Sequence, residues 1–83
     1  MKHMPTPLYL TRSDPSRNMA RFYALSLEPT LFGEVSLVRN WGRIGTCGQV
    51  RTETFERPEA ASAVFNHLRT LKLRKGYRVR SGG

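Results

Sequence analysis

The sequence predicts an α+β domain: a small antiparallel β-sheet of about four to five strands packed against one α-helix. Two patterns and their order carry this. Several short segments alternate apolar and polar residues with a period of two, as strands with one buried face do. One later segment spaces its apolar residues at i, i+3, i+4 and i+7, a helical stripe. Strands followed by a single helix leave that helix to cover one face of the sheet. The 83 residues suit one compact unit. Residues 1–83 are therefore read as a single domain, with a loose arm at 1–7 and a loose tail at 81–83. Such a unit buries only about 60% of its unfolded surface, so no deep substrate cavity is expected.

The elements follow in order. Leu8-Tyr9-Leu10-Thr11-Arg12 is rich in strand formers and reads as a short edge strand. Asp14-Pro15-Ser16-Arg17-Asn18 is loop chemistry. From Arg21 to Glu28, Tyr23, Leu25 and Leu27 share one face, and Phe22, Ala24 and Ser26 the other. Residues 29–33 turn the chain. Glu34 to Trp41 is the next strand, and the face of Val35 and Leu37 continues into Arg39 and Trp41, passing from apolar to basic-aromatic. Three glycines in Gly42–Gly48 predict a tight, exposed turn. Gln49 to Phe55 alternates again. Pro58 suits a first helical position, Glu59 suits the first turn, and Lys75-Gly76 suits the end. Between them Ala61, Val64, Phe65, Leu68 and Leu71 form the apolar stripe. Tyr77–Arg80 has the makings of a last short strand.

Charge narrows the function. Fourteen Lys and Arg against six Asp and Glu give a net charge of +8 and a sequence pI near 10.9. Eleven of the fourteen are arginine, whose planar fork of donors matches phosphate. A domain pI above about 9 is the electrostatic footprint of a nucleic-acid binder. All six acids precede residue 60, while Arg69, Lys72, Arg74, Lys75, Arg78 and Arg80 follow it, a candidate polybasic strip. The start lacks the apolar stretch of a signal peptide, and no apolar run approaches the ~20 residues of a membrane helix. A single cysteine, Cys47, allows no internal disulfide, in keeping with a reducing, cytoplasmic setting.

Catalytic arrangements fail for want of parts. His3, His67 and Cys47 have no zinc-like spacing. His67 reads as a helix-surface side chain, and Cys47 has no base or orienting acid apparent beside it in sequence. The glycine turn lacks the Lys-Ser/Thr of a phosphate-binding P-loop and does not run into a helix. No metal, cofactor or enzymatic activity is expected. The distinctive feature is Arg39-Asn40-Trp41-Gly42-Arg43, with the one tryptophan between two arginines. Its indole offers a flat surface for a base or sugar while the guanidiniums hold phosphates. It equally suits a lid on a small core with solvated arginines around it, and pattern alone does not choose.

Trp41-Gly42-Arg43, then Ile44-Gly45 and Gly48-Gln49, resembles the signature of the WGR domain. Arg21-Phe22-Tyr23 resembles that family's opening aromatic strand, often written Asn-Lys-Phe-Tyr. Phe65 and Lys75-Gly76-Tyr77 resemble its later landmarks, so the likeness runs from about Asn18 to Tyr77. Here the motif's asparagine falls at Ala20, and Asn18 stands two residues earlier. The family is known as a module of poly(ADP-ribose) polymerases, where it binds DNA near strand breaks and relays the bound state to a catalytic domain. It also occurs as short stand-alone bacterial proteins. The resemblance implies that Trp41 packs on the sugar-base end of DNA, that Arg43 engages the backbone and that Arg21 contacts a phosphate. Arg39, Gln49 and Lys75 complete the candidate set. No polymerase catalytic domain lies in these residues, so no ADP-ribosyl transfer is implied. The expected function is non-enzymatic binding of DNA ends or nicks; the alternative is an acidic protein partner on the same face.

Overall fold

The computed structural model describes residues 6–81. The strands are β1 (Leu8–Asp14), β2 (Met19–Pro29), β3 (Val35–Arg43), β4 (Gln49–Phe55) and β5 (Arg78–Ser81), with one helix, α1 (Pro58–Arg74). They form one antiparallel sheet in the order β4-β3-β2-β1-β5, packed against α1. The predicted α+β class is what the chain adopts. The expected arm and tail lie partly at 1–5 and 82–83, outside the described residues.

Local chemistry explains the turns. The Asp14 carboxylate accepts from the Ser16 amide at 3.1 Å and from its hydroxyl at 2.6 Å, starting a single 3₁₀ turn over Pro15–Arg17. Asn18 ends it in the left-handed region (φ 51°), which asparagine tolerates. Gly76 follows α1 at φ 97°, as the Lys75-Gly76 pair predicts.

One sequence expectation is corrected. β1 is not an edge strand, because β5 pairs along its outer side, with Leu10 opposite Val79 and Thr11 opposite Arg78. The two ends of the chain meet there, and no local pattern encodes such a contact. β5 also divides the expected polybasic strip. Arg80 turns to the sheet face away from α1, where its Nε donates to Thr11 Oγ1 at 2.8 Å.

The core lies between α1 and the alternating residues of the sheet. Leu8, Leu10, Tyr23, Leu25, Leu27, Val35 and Leu37 meet Ala61, Phe65 and Tyr77, all buried. Burying each leucine is worth roughly 1.5–3 kcal/mol. The apolar stripe of α1 narrows toward its end: Val64 and Leu68 pack partly against the core, and Leu71 is exposed. The β3 face changes from Val35 and Leu37 to Arg39 and Trp41 at that same end. Helix and sheet therefore stop being apolar together, and this end of their interface opens to solvent.

Candidate functional site

The opening forms two adjoining clefts that share Tyr23, Trp41 and Lys72. The first, about 300 Å³, is lined also by Arg39, Leu68, Leu71 and Lys75. The second, about 350 Å³, is lined also by Arg21, Phe22, Gly42, Arg43 and Tyr77. None of these residues is acidic. Sheet register builds the arrangement: Arg21 stands opposite Arg43, Tyr23 opposite Trp41, and Trp41 opposite Gln49. Residues directly opposite across an antiparallel pair point to one face.

Trp41 is half-buried. Its ring lies 6.4 Å from that of Tyr23 and packs against the edge of the core, and the Arg39 guanidinium sits 5.9 Å from the indole centroid. One part of the Trp41 side chain closes the core and the rest lines both clefts.

The turn that presents Trp41 is set by close backbone approach. A Cβ on Gly42 would stand 2.7 Å from Gly48 Cα, and one on Gly48 would strike the Trp41 carbonyl. The Asn40 amide, on the opposite face, donates to the carbonyls of Cys47 (3.1 Å) and Gln49 (2.8 Å). Thr46 Oγ1 donates to the Arg43 carbonyl at 2.7 Å. Ile44 N–H donates to the carbonyl of Ala20 on the neighbouring β2 at 2.9 Å, and Arg43 Nη1 donates to the Asn18 carbonyl just before β2 at 3.4 Å. Asn18 and Ala20 thus contribute backbone oxygens here. Asn40, a positioning residue, carries no sequence signal beyond its place beside the motif.

Of the residues singled out in the sequence, Trp41, Arg39 and Lys75 meet in the first cleft, and Trp41, Arg21 and Arg43 in the second. Gln49 lies beside Trp41 but lines neither. His67 is exposed on α1, and Cys47 is free and exposed. Among the described residues no group of three or more His, Cys, Asp or Glu is placed to hold a metal ion. No described helix is long and apolar enough to cross a membrane.

The residue that sequence reading placed only in the polybasic strip, and not in this site, is Lys72. Its Nζ lies 4.4 Å from the Tyr23 ring centroid and 5.4 Å from that of Tyr77. A signal was present. Ala61, Phe65, Leu68 and Lys72 are spaced 4, 3 and 4 apart, so Lys72 continues the buried stripe, while exposed Lys75 follows it just past the end of α1. Burial lowers the Lys72 pKa below the ordinary lysine value of 10.5, and the charges of Lys75, Arg21 and Arg39 push the same way. The folded state therefore binds this proton less tightly than the unfolded chain. Desolvation and repulsion of ionised Lys72, offset in part by the Tyr23 and Tyr77 rings, weigh against folding at every pH below its folded pKa. That opposition lifts as pH rises through the window between the folded pKa and 10.5. Lys72→Met keeps the stem and an aromatic contact without the charge. It should unfold at no lower temperature than the parent at neutral pH, and its advantage should shrink as pH rises through that window. Thermal unfolding of both proteins across pH checks this; a clear loss of stability at neutral pH would contradict it.

The family model of the WGR domain matches residues 6–83. An uncharacterized protein, y4dW, of Sinorhizobium fredii (strain NBRC 101917 / NGR234) is 51% identical over 80 residues, covering 96% of this chain. The matched part is 39% of that relative, so the chain spans about two fifths of its length. No solved structure matches the chain significantly. The WGR domain by itself is a binding module, of a nucleic-acid-binding type in poly(ADP-ribose) polymerases. Here the family's signature residues build the turn, its tryptophan lines both clefts, and the chain belongs to the WGR-domain family.

Proposed function

We propose that this chain is a non-enzymatic module that binds duplex DNA at ends or nicks, with little sequence preference. The observation that carries the reading is the half-buried indole of Trp41 between two clefts, ringed by Arg21, Arg39, Arg43, Lys72 and Lys75 with no acid in their linings. Five cations around one aromatic surface suit a sugar or base flanked by phosphates. No Asn or Gln side chain lines either cleft, so the site lacks the usual bidentate readers of adenine.

The preference for ends has a steric cause. Inside an intact duplex every base face is covered, and opening a step costs a few kcal/mol. At a terminus or nick one face is already free. Trp41 then gains contact without unstacking, while Arg21 and Arg43 on one side, Arg39 and Lys75 on the other, and Lys72 between them hold adjacent phosphates. Phosphate also relieves the repulsion from Lys75, Arg21 and Arg39 that adds to burial in lowering the Lys72 pKa, so Lys72→Met should weaken binding although it spares the fold.

Two outcomes follow. If all five cations neutralise phosphates, the logarithm of affinity should fall against the logarithm of salt with a slope of about −4.5. Linear DNA should compete better than covalently closed circular DNA of equal length and sequence. Equal competition by both, with Trp41→Ala altering neither, would reduce the protein to a general binder of polyanions. Failure of any duplex or single strand to bind at low salt would favour an acidic protein partner instead.

A further inference from the structure

Two strands bound the sheet, and they differ. β5 spans Arg78–Ser81 and carries Arg78 and Arg80 with no acid, so it is short and repels a copy of itself. Short, charged edges are a common defence against pairing. β4 lacks it: the strand is 7 residues long, has Val50, Thr52 and Thr54 on one face, and carries one charge of each sign, Arg51 and Glu53. All of β4 but Phe55 is exposed, and its outer side has no neighbour in the sheet order.

The strand Gln49-Val50-Arg51-Thr52-Glu53-Thr54-Phe55 is complementary to itself when reversed. With Thr52 opposite Thr52 of a second copy, each Arg51 faces the other copy's Glu53, and each Val50 faces the other's Thr54. A slip of two residues in either direction puts Arg51 opposite Arg51 or Glu53 opposite Glu53. A slip of one puts each strand's inner face against the other's outer face. One register is therefore selected. A further feature asks for the same partner. Within the chain Arg51 stands directly opposite Arg39, a like-charge pair that costs stability. Glu53 of a second copy would place an anion beside both.

We propose that the chain self-associates through β4 as a two-fold dimer, joining two five-stranded sheets into one continuous sheet. Residues facing each other across the new pair share a face, so both helices and both pairs of clefts lie on the same side. Trp41 is opposite Gln49, three residues from the central Thr52. At a rise of about 3.3 Å per residue and a strand spacing of about 4.8 Å, the two Trp41 backbones lie roughly 25 Å apart. The dimer thereby presents two equivalent binding faces side by side, one for each of two contacts on nucleic acid. The association itself does not depend on the nucleic-acid reading.

Sedimentation equilibrium of the 83-residue chain without nucleic acid, over a range of concentrations, tests this. The parent protein should approach the dimer mass as concentration rises. Arg51→Glu and Glu53→Arg each place like charges at both facing positions, and each should weaken dimerisation by about tenfold or more. Mixing those two variants restores opposite charges and should give a heterodimer heavier than either alone. The double variant Arg51→Glu/Glu53→Arg should dimerise like the parent. Circular dichroism of each confirms that the exposed substitutions leave the fold intact. A parent that stays monomeric throughout, or single variants that associate as well as it does, would overturn the proposal.

Discussion

Gly48→Ala is expected to remove about 3 kcal/mol or more of folding stability. Two independent costs add. Gly48 sits at φ +69°, where a side chain costs roughly 1–2 kcal/mol. The new Cβ would also collide with the Trp41 carbonyl and lie 2.8 Å from Phe22 Cζ. Overpacking of that kind costs about 1–3 kcal/mol. Neither obstacle is a free side-chain end: one is backbone, and the other is a buried ring stacked 5.9 Å from Tyr9. Small domains have about 5 kcal/mol or little more in reserve, so the loss approaches the whole. Gly45→Ala is the internal control. Gly45 also has a positive φ, +93°, but nothing lies within 4 Å of its would-be Cβ. Only the conformational cost of about 1–2 kcal/mol applies there. Urea unfolding of the two variants beside the parent measures the difference. Equal midpoints would mean that the approach of Gly48 to Trp41 does not constrain the turn.

Trp41→Ala is expected to weaken binding to a DNA end by about 1–3 kcal/mol, up to roughly 150-fold. Trp41 is the aromatic surface common to both clefts and carries Arg39 beside its ring. Its loss removes the stacking surface and unseats that guanidinium. Some stability goes too, because the indole rests on the core edge and on Tyr23. Trp41→Phe separates the effects, keeping apolar packing with less stacking area. Affinity should follow the order Trp, Phe, Ala, while unfolding shows that the Phe protein remains folded. Arg43→Ala should weaken binding without comparable loss of stability, since its side chain is exposed and makes only a long contact to the Asn18 carbonyl. An alanine protein that is folded and binds ends as tightly as the parent would assign Trp41 to the core alone.

What could be read from the sequence was whatever is local and periodic. The period of two in β2 and β3 placed Tyr23, Leu25, Leu27, Val35 and Leu37 on the buried face, where they are. The Pro58 start and the Lys75-Gly76 end of α1 stand where capping chemistry puts them. Two things were not legible in the same way. The interior place of β1 depends on β5 returning from the far end of the chain. The role of Lys72 depends on where the apolar stripe of α1 leaves the sheet, with Tyr23 and Tyr77 below it. The glycines of the turn were visible as a turn, but their necessity lies in the contact of Gly42 with Gly48 across it. Phe22 shows the limit of reading one buried face: it lies on the opposite side from Tyr23 and is buried as well, under that turn.

On the proposed function, Trp41 itself meets the exposed face of a DNA terminus. Trp41 is the sole tryptophan, so its emission reports on that contact directly. The decisive measurement is its fluorescence during titration with duplexes of several lengths, and with covalently closed circles, at matched base-pair concentration. Quenching should saturate with the concentration of ends, be weak with closed circles, and reverse at high salt. Emission that tracks base pairs regardless of ends, or stays unchanged while the DNA is bound, would contradict that contact.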